Sequence, residues 1–132
     1  MINYDLYLKV KNLYDNRQYK EALNYGKELY SLNPNNSPIK LMLAKLYIKN
    51  NQTLKSKVLK KQNKIDLARK ELTNLINTSY KNKALIELGV LEVEQKNYDL
   101  AELYFSKLLG TKDNNYAILL LGRLELKKDN IE

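Results

Sequence analysis

One small or apolar position recurs along the chain at near-constant spacing. Val10, Ala44, Gly89 and Gly122 stand 34, 45 and 33 residues apart. A second series runs in the same register. In RQYKEA, NKIDLA and KNYDLA, a Tyr or Ile is followed three residues later by Ala22, Ala68 or Ala101, and the chain closes on DNIE. Two series in one register imply a unit of 33–34 residues, with one copy about a dozen residues too long. A unit of that size holds two helices but cannot bury its apolar face alone, so its copies must stack.

Within each unit the apolar residues return at intervals of three and four, as at Leu6, Val10 and Leu13 or Leu85, Leu88 and Gly89. That is the helical period, and no alternating strand pattern competes with it. The breaks are short and polar: Asn33-Pro34-Asn35-Asn36, Asn77-Thr78-Ser79 and Gly110 to Asn115. Ser37-Pro38 reads as an N-cap followed by proline at the first helical position. Gly110 fits a left-handed residue closing a helix.

A 34-residue unit of two helices resembles the tetratricopeptide repeat family. Leu88-Gly89 and Leu121-Gly122 match the Leu-Gly of its first helix. Ala44 with Tyr47 matches the small residue followed by an aromatic. Tyr19 and Tyr98 match the aromatic that opens the second helix, Ala101 with Phe105 its Ala-x-x-x-Phe, and Pro34 the terminal proline. The chain departs from the pattern at Leu6, Lys40, Leu85 and Ile118, where tryptophan is usual, and at Gly26 and Leu72, where phenylalanine is usual. The resemblance implies an all-α, helix-turn-helix repeat solenoid, a right-handed stack of about seven antiparallel helices. One solenoid over 1–132 would comprise repeat 1 at 1–36, repeat 2 at 37–81 with a basic insertion near 50–62, repeat 3 at 82–114 and a half repeat at 115–132. Small residues where the paired helices meet would let their axes approach to about 8–10 Å. Helix 116–128 is apolar on several faces, so it is expected to be covered, by chain following Glu132 or by a second copy.

The resemblance also implies a concave groove lined by the first helix of each unit. Its inward positions are Tyr4, Tyr7, Lys11 and Tyr14; Pro38, Leu41, Lys45 and Ile48; Lys83, Ile86, Val90 and Val93; and Tyr116, Leu119, Arg123 and Leu126. Leu6, Val10 and Leu13 already supply a packing face, which leaves the N-terminal tyrosines for contact with a partner. The groove candidates are Tyr4, Tyr7, Lys11, Tyr14, Leu41, Lys45, Ile48, Ile86, Tyr116, Leu119 and Arg123. Tyrosines, aliphatics and a few bases suit a peptide or partner helix carrying acidic and apolar residues. Tyr19, Tyr47 and Tyr98 read as framework. Some family members hold a carboxylate with Lys and Asn; the corresponding positions are Tyr7, Leu41 and Ile86, so that specificity is not carried over.

Charge gives a second reading. The net charge is +8, and residues 49–70 hold eight bases against Asp66 alone. Lys55, Lys57, Lys60, Lys61 and Lys64 could contact phosphates of RNA or DNA, which makes nucleic-acid binding the alternative function. Arginine and interleaved aromatics are missing among those lysines, which counts against it. By register the stretch is an elaborated turn between the helices of repeat 2, with the second helix expected to start near Thr53. A disordered loop is the competing expectation.

The chain has no cysteine and no histidine. Disulfides, thiolate metal sites and the commonest general acid/base are therefore unavailable. Acid pairs such as Glu92 and Glu94 lie two apart and face different ways. We expect no catalysis, no cofactor and no metal. The N-terminus lacks the apolar core of a signal peptide, and no run approaches the length of a membrane span. The expectation is a soluble cytoplasmic interaction scaffold.

Overall fold

The three- and four-residue apolar spacing resolves into helices. The structure is a computed structural model that describes residues 4–53 and 58–129, with side chains described outside 51–61. Among the described residues there are seven helices and no strand: α1 (Tyr4–Asp15), α2 (Tyr19–Leu32), α3 (Ser37–Thr53), α4 (Val58–Asn74), α5 (Lys81–Glu94), α6 (Tyr98–Ser106) and α7 (Asn114–Asp129). The chain divides into two compact units, residues 1–75 and 76–132. This is the all-α helix-turn-helix repeat architecture expected from the register.

In the first unit each helix packs on the next, α1 on α2, α2 on α3 and α3 on α4. Val10, Ala22, Leu29, Ala44, Leu46, Ala68 and Leu72 are buried between them. Gly26 allows close packing there, because a Cβ added to it would come within 2.7 Å of Leu46 Cδ1. In the second unit α6 packs on both α5 and α7. Leu85, Ala101, Phe105, Leu108, Ala117, Leu120 and Leu124 form its core. Phe105 lies against Gly89, where any Cβ would collide with its ring. Ala101 and Phe105 thus do what their register implies: they seat the second helix of the pair closely on the first.

The α1–α2 and α5–α6 turns are built alike. Arg17 and Lys96 have left-handed φ values of 61° and 63°. The Gln18 N–H donates to the Leu13 carbonyl and the Arg17 N–H to Tyr14; Asn97 and Lys96 repeat this with Glu92 and Val93. This is the paired bonding that closes a helix through a left-handed residue, here without glycine. Gly110 is left-handed as expected, at φ 80°, in the turn after α6. The cap of α3 is shifted by one residue from the expectation. The Asn36 carboxamide oxygen, not the Ser37 hydroxyl, accepts the Ile39 N–H at 3.0 Å. Asn36 therefore caps α3 three residues ahead of its bonded amide, and Pro38 stands one position further in.

The excess length of repeat 2 is taken up partly as helix. α3 and α4 run 17 residues each, against 12 and 14 for α1 and α2. Thr53 belongs to α3 and not to α4, which is described from Val58; residues 54–57 lie outside the described residues. Where the insertion is described, at 50–53 and 58–62, it is helical.

Candidate interaction surfaces

α1 presents tyrosines on a face that its own packing consumes only in part. Val10 is buried and Leu6 and Leu13 half-buried, while Tyr4 is 69% exposed, Lys11 exposed and Tyr7 half-buried. Tyr14 is shared with the framework, because its ring meets Tyr19 edge-on at 5.5 Å. On α3, Leu41 and Ile48 are each only 8% exposed, so they belong to the packing and offer a partner little more than an edge. Lys45 between them is half-buried.

In the second unit Ile86 is half-buried and packs against the core. Tyr116, Leu119 and Arg123 are exposed along α7, and so are Ile118 and Leu126. Gly122 lies among them, and a Cβ there would meet nothing within 4 Å. Its repeat-equivalent Gly89 is covered by Phe105, so the two glycines occupy the same register with opposite surroundings. At the start of α5, the Asn82 carboxamide donates to Asp113 at 2.8 Å and to Thr111 at 3.1 Å, tying it to the α6–α7 turn.

Of the basic insertion, Lys55 and Lys57 lie outside the described residues, and Lys60 and Lys61 stand on α4 with undescribed side chains. Lys64 is half-buried, its ammonium 5.7 Å from the centre of the Tyr47 ring. It lines a pocket of about 430 Å³ with Lys20, Leu23, Asn24, Lys27, Asn50 and Asn63. The pocket draws on α2, the end of α3 and α4, so reading only the first helix of each unit misses it. Its signal was present as Lys20, Leu23, Asn24 and Lys27, which share one face of α2 by spacing. Asn50 is held in place by its side-chain amide, which donates to the Tyr19 and Leu46 carbonyls at 2.7 and 3.2 Å.

Beneath this surface Tyr47 and Tyr30 face Glu71. Burial first, and then the Glu71 charge, raise both phenols above their ordinary pKa; a hydrogen bond to Glu71 adds to the shift at Tyr30. Glu71 Oε2 is buried and, among the described residues, has no hydrogen-bond partner. No group of three or more described Asp and Glu residues could hold a metal ion. No described helix is long and apolar enough to cross a membrane.

Residues 13–58 match the family model of the tetratricopeptide repeat. No curated protein matches the chain. Repeats of this family generally mediate protein–protein interaction, and the family is typically a non-enzymatic scaffold.

Proposed function

We propose that this chain, whose residues 13–58 match the tetratricopeptide repeat and whose helices follow that repeat architecture, is a non-enzymatic scaffold that binds a peptide or partner helix along its first-helix faces. The observation that carries the reading is α1. Tyr4, Tyr7 and Lys11 follow one another at intervals of three and four and so share a helix face. The packing of α1 is met mainly by the adjoining Leu6, Val10 and Leu13, and Tyr7 is half-buried at the border between the two faces. Tyrosine supplies large, rigid contact area with a polar tip, and a neighbouring lysine adds a preference for acidic residues. Tyr14 and Lys45 extend this face in part, whereas Leu41 and Ile48 support it from the core. In the second unit the corresponding contacts are Tyr116, Leu119 and Arg123 of α7, and the half-buried Ile86 of α5.

The test is selection from a displayed peptide library. The unmodified chain should enrich peptides combining acidic and apolar residues. Tyr4→Ala and Tyr7→Ala should each weaken their capture by about 1–2 kcal/mol, the scale of a contact near a hot spot. Enrichment that survives both changes would place the binding face elsewhere. The nucleic-acid reading rests on the insertion lysines, four of which have no described side chain. Failure to bind generic RNA and DNA at about 50 mM salt would remove it.

A further inference from the structure

Among its described lining residues, the pocket formed by α2, the end of α3 and α4 gathers three lysines and no acid: Lys20 and Lys27 from α2 and Lys64 from α4, with carboxamides of Asn24, Asn50 and Asn63 between them; Glu71, which acts on Tyr47, does not line it. Like charges brought together around one concavity raise its potential and favour an anion. Lys27 and Lys64 also converge on one aromatic ring, their ammoniums 6.0 and 5.7 Å from the centre of Tyr47. Leu23, buried, closes the bottom of the pocket without offering it much surface.

We infer that this pocket is a second docking site, which takes the carboxylates of an acidic segment of a protein partner. The donors named in the lining are flexible ammoniums and carboxamides, contributed by three helices. An ammonium acts as a compact point charge, so three separate ones suit single charges carried on successive side chains better than one group that must gather them all. A nucleic acid would want an exposed ring on which a base can stack. Tyr47, the ring that Lys27 and Lys64 approach, is only 7% exposed. The inference rests on the reading of the chain as a protein-binding scaffold, but it uses helices α2 and α4 and not the tyrosine face of α1.

The experiment titrates the full chain with acetylated hexaglutamate at low salt, followed by NMR. The side-chain amides of Asn24 and Asn63 and the backbone amides of residues 20–27 should shift. Replacing Lys20, Lys27 and Lys64 together by Gln should weaken binding by about tenfold or more, as loss of close charge pairs does. A control with equal loss of charge, Lys81, Lys107 and Lys112 to Gln, should change it less than about twofold, because none of the three lines the pocket. Circular dichroism establishes that both variants remain helical. An equal loss in the two variants would overturn the inference, since the attraction would then be that of net charge. So would shifts that bypass Asn24 and Asn63, inorganic phosphate displacing the peptide at matched concentration, or an oligothymidylate binding more tightly at the same residues. If the library selection fails while hexaglutamate still shifts the pocket, the α1 face falls and the pocket stands.

Discussion

Gly89 shows how much of the packing rests on one missing side chain. The Phe105 ring fills the space a Cβ would need, and that ring is 2% exposed with nowhere to retreat. Gly89→Ala should destabilise the protein by about 1–3 kcal/mol in a denaturant titration, as overpacking does. Lys96 offers the opposite sign. Its left-handed backbone strains a residue bearing a Cβ but not glycine. Lys96→Gly should therefore stabilise by about 0.5–1 kcal/mol, after the extra entropy of unfolded glycine is subtracted. Tyr30 and Tyr47 set a pH limit. Their folded pKa values lie above the unfolded phenol value of about 10. Their contribution to stability is therefore complete below that pH and is lost as pH rises through the raised values. Thermal melts should fall across that alkaline range, and Tyr47→Phe should flatten the fall. The register identified Gly89 and Phe105, because their positions alone say that two helices meet there. It missed the cap at Asn36, because Asn36, Ser37 and Pro38 each suit a helix start and only the bonded carboxamide distinguishes them.

At the scale of elements, the insertion behaves as length added to a helical hairpin. α3 and α4 are each 17 residues long and still bury Ala44, Leu46, Ala68 and Leu72 between the helices of their unit. Deleting Gln52 to Asn63 should accordingly leave a helical chain with one cooperative thermal transition. Loss of that transition would mean the repeat register is wrong. The same deletion removes Asn63 from the basic pocket and should weaken hexaglutamate binding. Helix positions were legible in the sequence because small residues recur in step with the polar breaks. The division of the insertion between its helices was not, because Leu54, Val58 and Leu59 continue a helical period across it without a glycine or proline to mark an end. The pocket was illegible for a different reason. It depends on α2, the end of α3 and α4 surrounding one concavity, and no spacing within any of these helices records that.

For the whole molecule the unsettled surface is α7. Ile118 and Leu126 are 57% and 67% exposed, and Leu119 lies between them. Their equivalents one repeat earlier are Leu85, Ile86 and Val93; Leu85 is fully buried and the other two are half-buried. An uncovered face that matches a covered one in register is costly to leave in water. The register leads us to expect a second copy there, which would compete with a partner for Leu119. Ile118 and Leu126 stand four residues either side of Gly122, so a two-fold antiparallel pairing lays the stripe on its own reverse. Gly122 at the centre would let the two axes approach to about 8 Å. Substitution there should separate two effects. In the isolated chain Gly122→Ala meets nothing and removes the helix penalty of glycine, so stability at high dilution should rise by about 0.5–1 kcal/mol. In a closely paired dimer the added methyl groups oppose each other, and self-association should weaken. Sedimentation over about a hundredfold range of concentration reads the second effect and dilute thermal unfolding the first. Ile118→Lys with Leu126→Lys should abolish association outright. A chain that stays monomeric throughout that range, with or without these changes, would show that no second copy covers α7.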